Sequence, residues 1–475
     1  MNYFPPPEWP VTVHVNDEAT LQAAILDAHN DNMNTRIVLM NNIQLTQSLS
    51  VPERTKIMLT SSVPDNPSVI DAGNQGFRVM ELQTDAAGDD TIVYFNRIIV
   101  RGGNGTPNGG VVYSEGYGTA IVVLEQGATF ENNTAENGGA IALTRGAAGV
   151  FGGRLIDNHA NQNGGAVYIQ EGHPQPVYGA FKMYMDNSLI AQNDAGVNGG
   201  GVYVGNAGEV VITGGTIDNN RANEFGGGLY VHSLDFSAGR ISNNIANTGG
   251  GGVFLEGTGT IKGTAQIIGN SAPGGGIYMS NHADTLLNIL ETAKIINNTA
   301  SGDDGGGGIY LAEYHLQHLT VDAQVVFAGN SALQGYAIRL PIHDAIYLAN
   351  IQATQWSANF IQGYNNYDIR YDGNNPPPIP GCHVDSEQMV EVCLPVAITP
   401  FANVGVITSR CCGAAVITRG DDVCQGIPNG TCNFTIRQKM CVTVPVDFGN
   451  TVVPGVPHVL CTDEPCDNCP PDPNA

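Results

Sequence analysis

Between residues 130 and 340 the apolar positions come in short alternating runs bounded by glycine, not in helical stripes. Gly165-Ala-Val-Tyr-Ile169 and Val210-Val-Ile-Thr213 are typical. An amphipathic helical repeat needs about 10 to 15 residues of 3.6-residue periodicity per unit, and glycine-rich corners every dozen residues leave no space for it. Runs this short read as strands, with alternate side chains on opposite faces. Near the start of the chain the period changes. Glu18 to His29 reads as a helix capped by Asn16 or Asp17, with Leu21, Ala24, Ile25 and Ala28 on one face. Ile37–Leu39, Ile43–Leu45, Ile57–Leu59 and Ile92–Tyr94 follow as expected strands.

The runs belong to a repeat. Asn133-Thr-Ala135, Asn158-His-Ala160, Asn193-Asp-Ala195, Asn220-Arg-Ala222, Asn244-Ile-Ala246, Asn270-Ser-Ala272, Asn298-Thr-Ala300 and Asn330-Ser-Ala332 share one form. In nearly every unit a variable stretch, a glycine pair and an apolar–aromatic–apolar triplet follow the alanine. The alanines are spaced by 25, 35, 27, 24, 26, 28 and 32 residues. Fixed punctuation with variable length is what a coil with loops at one corner produces. One such unit cannot bury its apolar face alone, but stacked units can. The expected fold is therefore all-β: a right-handed parallel β-helix with a capping helix. At about 25 residues per turn, Ile37 to Tyr371 would hold about 12 to 13 rungs, roughly 60 Å at about 4.8 Å per rung. Glycine suits the tight corners. Asparagine tolerates bends, and repeated at one corner it can stack as an amide ladder. If the aliphatics fill the core, Tyr168, Tyr203, Tyr230, Phe254, Tyr278 and Tyr310 form an outward stack. That stack would serve packing between rungs or contact with glycans.

Four segments follow from this pattern: an N-terminal arm over 1–15, the β-helix with its cap over 16–373, a Pro-rich linker over 374–381 and a Cys-rich module with a tail over 382–475. Strands are expected in that module at Val404–Thr408, Ala414–Thr418, Cys432–Arg437 and Cys441–Val446. Short strands at such intervals suggest a small β-sandwich. All ten cysteines lie there: Cys382, Cys393, Cys411, Cys412, Cys424, Cys432, Cys441, Cys461, Cys466 and Cys469. An even number at that density points to disulfides in an oxidising compartment, some of them open to another chain. Zinc is the rival reading, but Cys461-x4-Cys466-x2-Cys469 has no second Cys-x2-Cys and no His at finger spacing.

Composition narrows the function. Of 475 residues 61 are Gly, and only 13% are charged, which excludes a coiled coil and a highly charged disordered chain. Glycines in pairs exclude collagen. The net charge of −25 repels phosphate backbones, so nucleic acid is excluded as a partner. No run approaches the roughly 20 apolar residues needed to span a bilayer. Met1 to Pro10 shows no basic segment leading into an apolar run, so no secretory signal is expected there. Tyr3, Phe4 and Trp9 stand among prolines on the arm, as apolar anchors for a neighbour's sheet or groove, or as a frayed end.

The Asn-x-Ala…Gly-Gly units resemble the repeats of polymorphic outer-membrane proteins and other bacterial β-helix surface proteins of the pectin-lyase-like superfamily, over about 132–340. Where that family is expected to continue into a translocator barrel, the sequence after the repeats continues as a Cys-rich module. Its Cys-rich module, from Cys411-Cys-Gly to Cys441-Val-Thr-Val-Pro-Val446, is loosely similar to spore-surface and spore-appendage proteins. The resemblance implies an extracellular location on a cell or spore surface. It implies the fold strongly and an activity weakly, because the superfamily holds adhesins, structural proteins and polysaccharide enzymes. Its enzymes cluster carboxylates on an outward face. The candidates here, Asp89, Asp90, Asp157, Asp186, Asp194, Asp218, Asp303 and Asp304, read as solvated turn residues. No Gly-His-Gly, Asn-Thr-Asp or Arg-Ile-Lys of a galacturonan hydrolase is present; His173 is a loop residue, and His315 with His318 is an incidental pair. No phosphate loop is present either. The expectation is a non-enzymatic structural or adhesive protein without metal or cofactor. It would associate with copies of itself head to tail, with surface glycans as a further partner. A polysaccharide-binding or polysaccharide-cleaving β-helix is the alternative.

Overall fold

A computed structural model describes residues 7–333, apart from 64, 85–89, 115, 117, 171–181, 283, 303–305, 312–317 and 323. Beyond them it describes Ile369–Tyr371 and six short strands. Two compact units divide between Gly373 and Asn374.

The first unit is a parallel β-helix. Three parallel sheets of 20, 9 and 11 strands line its wall, and the 20-stranded sheet contributes two strips to each turn. The 11-stranded sheet runs from Ile43–Gln44 to Val326–Ala328, so the described coil has about ten turns. This is fewer than the 12 to 13 expected, part of whose count lies outside the described residues. One turn reads Ala120–Leu124, Thr129–Glu131, Thr134–Asn137, Ile141–Leu143 and then Gly146–Phe151, each strand pairing with its counterpart one turn on. The core is a set of rows. One register position of every strand in the 11-stranded sheet points inward and is buried: Ile43, Ile70, Val100, Phe130, Leu155, Ile190, Ile217, Ile241, Ile267, Ile295 and Phe327. The alanines of the repeat stand at one register position of the nine-stranded sheet and are buried from Ala135 through Ala300.

The corner between those two sheets explains the repeated asparagine. The residue before it is left-handed in every turn from Asn132 (φ 54°) through Asp157, Gln192, Asn219, Asn243, Gly269 and Asn297 to Gly329 (φ 63°). That bend turns the next side chain inward. Asn133, Asn158, Asn193, Asn220, Asn244, Asn270, Asn298 and Asn330 are all buried and form a continuous amide ladder. Asn220 is representative. Its Oδ1 accepts from the Asn193 backbone N–H at 3.0 Å and side-chain Nδ2 at 2.8 Å; its own Nδ2 donates to Ile190 O and Asn244 Oδ1, each at 2.9 Å. Both donors and both acceptors of the amide are satisfied, so the row is buried without an orphaned polar group.

The glycine pair marks the opposite corner. The first glycine takes positive φ (Gly199, 66°), and the second lies against the next turn: a Cβ on Gly200 would stand 2.3 Å from Gly227 O. Glycine is required here for backbone approach as well as for conformation.

Helix α1, Glu18–Asn30, closes the first turn. Asp17 caps it by accepting from the Thr20 backbone N–H, and Leu21, Ala24, Ile25 and Ala28 are buried against the core. Two of its side chains stand in for a strand. The Gln22 amide donates to Ser50 O and accepts from Ser50 N–H, each at 2.9 Å, and the Glu18 carboxylate accepts from the N–H groups of Thr46 and Gln47. The edge of strand Leu49–Val51 is thereby covered.

In the second unit three antiparallel pairs nest: Val416–Thr418 with Thr435–Arg437, Ser409–Cys411 with Met440–Val442, and Glu391–Cys393 with His458–Leu460. The strand expected at Val404–Thr408 falls outside the described residues, as does the 374–381 linker.

Candidate functional site: an outward aromatic stack

On the outer face of the 20-stranded sheet six successive turns place an aromatic ring at the same register position. Tyr168, Tyr203, Tyr230, Phe254, Tyr278 and Tyr310 are the central residues of the apolar triplets, paired strand to strand. Their flanking aliphatics point into the core, so the rings point out. Ring centroids are 5.2, 4.7, 4.7, 5.3 and 4.3 Å apart along the row, with interplanar angles of 9 to 19°. The rings therefore cover one another's faces, and what they present outward is edges and hydroxyls.

Several residues complete the row that the sequence did not single out. Phe225 lies at the corner position occupied by Asn137, Asn163 and Asn198 in earlier turns. Its ring packs 4.6 Å from Phe254 and 5.8 Å from Tyr278. In the next two turns that position is Gly249 and Gly274, and a Cβ on either would stand 2.5 Å from the Tyr278 ring. The Phe-Gly-Gly succession thus opens a seat for an aromatic ring. Glu256 accepts a hydrogen bond from the Tyr230 hydroxyl. Burial raises the pKa of the Tyr203 and Tyr230 phenols above the ordinary tyrosine value, and the Glu256 charge adds to it. Toward the N-terminus the column continues through Ala142 to Tyr113, whose ring carries the Arg78 guanidinium at 4.5 Å. Asn108-Gly-Gly-Val-Val-Tyr113 held the signal for this earlier turn. It was obscured because Gly103 and Gly105 replace the asparagine and alanine of the repeat.

The carboxylate candidates do not converge. Asp157 is a left-handed corner residue. Asp218 ends a strand and accepts from Ser242 Oγ, Asn219 Nδ2 and Asn243 Nδ2. Asp194 lies in the nine-stranded sheet, 3.0 Å from His159 Nδ1. Asp186 ends the strand Lys182–Asp186, beside Gly214. Asp89, Asp303, Asp304, His173 and His315 lie outside the described residues. Among the described residues no group of three or more His, Cys, Asp or Glu is placed to hold a metal. Of the cysteines, Cys393 pairs in register with His458, Cys411 with Met440 and Cys441 with Arg410. Cys382, Cys412, Cys424, Cys432, Cys461, Cys466 and Cys469 lie outside the described residues.

Tyr3 and Phe4 of the arm also lie outside them. Trp9, expected on an arm available to a neighbour, packs on its own chain, edge to face with Tyr94 at a centroid distance of 5.5 Å.

A family model described as a right-handed β-helix region matches residues 119–290, which include the rings from Tyr168 to Tyr278. Over this stretch the chain is similar to right-handed, pectin-lyase-like β-helices, in agreement with the parallel coil. No curated protein and no solved structure matches. No helix among the described residues is long and apolar enough to cross a membrane.

Proposed function

We infer that this chain is a non-enzymatic structural or adhesive component of a cell or spore surface, and that it associates with copies of itself through disulfides in its Cys-rich unit. The observation that carries the reading is the use to which the repeated rows are put. The asparagines hydrogen-bond one another inside the wall and the aromatic rings cover one another outside it, so the repeat stabilises a stiff coil rather than lining a reaction site. Asp218 and Asp194, candidates for an acid or base, are engaged by neighbours on their own wall. Self-association is supported by the ten cysteines of the second unit and by strand Val11–Val15, which among the described strands pairs on one side only, with Thr35–Leu39. The similarity of the repeats to bacterial surface proteins and of the Cys-rich module to spore appendages points to the same location.

A second reading, glycan contact, draws on the row of tyrosine hydroxyls spaced one rung apart. Covered ring faces count against it, because sugars stack on open ones.

Disulfide-linked assembly and the polysaccharide-cleaving alternative separate on a denaturing gel and a sugar assay. Purified protein run without reductant is expected to give ladders that collapse when reductant is added, and to release no unsaturated or reducing ends from acidic glycans. Monomers alone without reductant, with sugar ends released and lost on Asp218→Asn, would reverse the assignment.

A further inference from the structure

The glycine corner carries a second row of asparagines, and each of them stands before a glycine. Asn108-Gly109, Asn137-Gly138, Asn163-Gly164 and Asn198-Gly199 occupy that corner in successive turns. The asparagines are half-buried and the glycines buried. The buried ladder differs in this respect, because Thr134, His159, Asp194 and Arg221 follow its first members. Asparagine is a thermolabile residue. A following glycine, with no Cβ to hinder approach, makes it most reactive. The glycine backbone nitrogen attacks the asparagine Cγ. A C–N bond forms, the Cγ–Nδ2 bond breaks, and ammonia leaves with the proton that the glycine nitrogen gives up. Water then opens the cyclic imide at either carbonyl, yielding aspartate or isoaspartate.

Both groups that must meet in this step are held by the turn that follows. The glycine N–H donates at 2.9 Å to a carbonyl of the next corner: Gly109 to Asn137, Gly138 to Asn163, Gly164 to Asn198 and Gly199 to Phe225. The asparagine Oδ1 accepts from the same residue. Asn108 takes Asn137 Nδ2 at 3.0 Å, and Asn137 takes the Asn163 N–H at 3.1 Å and Nδ2 at 3.2 Å. Asn163 takes the Asn198 N–H at 3.2 Å, and Asn198 the Phe225 N–H at 3.1 Å. The main chain is close-packed here as well: a Cβ on Gly138 or Gly164 would stand 2.1 or 2.2 Å from the Ile141 or Val167 carbonyl oxygen.

We propose that Asn108, Asn137, Asn163 and Asn198 form a latent deamidation site, whose members stay unreacted while the following turn is closed on them and react with water where it opens. The product fixes the opening. A carboxylate at 137 or 163 gives up the Nδ2 donation to the turn before. Isoaspartate adds a methylene to the main chain, which puts the strand after it out of register with its neighbours. Control runs from turn to turn, so Asn198 depends on the corner at Phe225, whose ring is seated on Phe254 and Tyr278. None of this depends on the chain's association with copies of itself.

The test incubates the intact chain in mildly alkaline buffer, and again in denaturant that circular dichroism shows to unfold it. Mass spectrometry then maps aspartate and isoaspartate at the four positions. Reaction at all four is expected to run at least about tenfold slower in the folded chain, as for any backbone group that reacts only through local opening. In folded Phe225→Ala, Asn198 is expected to react at least about threefold faster, while Asn108 and Asn137 keep the rate of the unaltered chain. Phe225→Leu is read in the same way if Phe225→Ala does not fold. Equal rates in the folded and unfolded chain overturn the latency. An unchanged rate at Asn198, or a rise shared by all four positions, overturns control by the following turn.

Discussion

A single buried amide carries more of this fold than its size suggests. Asn220 uses two donors and two acceptors within the ladder, so Asn220→Asp, with nearly the same shape, loses both Nδ2 donations. It also sets a carboxylate against the Ile190 carbonyl and the Asn244 amide oxygen. Unmatched buried acceptors of this kind cost about 1 to 3 kcal/mol each. The variant is expected to lose about 3 kcal/mol or more at neutral pH in urea denaturation, and to regain part of it in acid, where the protonated carboxyl donates once. The corner glycines make a matched comparison. Gly200→Ala drives a methyl into the Gly227 carbonyl and is expected to cost about 3 kcal/mol, the upper range for overpacking. Gly76→Ala, where φ is 85° but no atom lies within 4 Å, is expected to cost about 1 kcal/mol, the strain of the left-handed backbone alone. Equal thermal shifts for the two would contradict the close approach. The tyrosines add a pH dependence. Burial, with the Glu125 charge behind it, pushes the Tyr94 phenol up to about 12 from 10.0. The unfolded chain releases that proton first, so the stability the neutral phenol confers is fully present below pH 10 and is lost as pH rises toward about 12. The urea midpoint is expected to fall through that window, and Tyr94→Phe to flatten the fall.

At the level of elements, the stack and the ladder are rows that no single turn contains. Ring pairs of this geometry contribute about 0.5 to 1.5 kcal/mol each. Tyr230→Ala breaks two of them and is expected to lower stability by about 1 to 3 kcal/mol, whereas Tyr230→Phe, which keeps the ring and gives up only the bond to Glu256, costs less than about 1 kcal/mol. Indistinguishable melting temperatures for the two variants would show that the rings do not support one another. Much of this level was legible beforehand, because the repeat writes the same residue at the same corner: Asn-x-Ala gave the ladder, the triplets gave the stack, and the spacing of Leu21, Ala24, Ile25 and Ala28 gave the buried face of α1. What escaped depends on partners one turn away and variable in sequence distance. Phe225 reads as an ordinary loop residue until Gly249 and Gly274 are seen beside it. Glu256 gains its meaning only from Tyr230. Trp9 reads as a free anchor because its partner Tyr94 lies 85 positions on.

For the molecule as a whole, glycine excess and scarce charge turn out to be two views of one construction. Glycines stand where successive turns touch, and the wall between them carries Asn, Thr, Ser and Tyr with only scattered ion pairs such as Arg101–Asp71 and Lys262–Asp235 among the described residues. Among the described strands, the ladder ends at Val11–Val15, which pairs there on one side only. The second unit brings the cysteines that can fix one copy to another. The central claim is therefore assembly, and electron microscopy of the purified full chain in negative stain, under oxidising conditions and again after reduction, tests it most directly. Elongated multimers or fibres that shorten on reduction are the predicted result; a field of uniform single molecules under both conditions would contradict it.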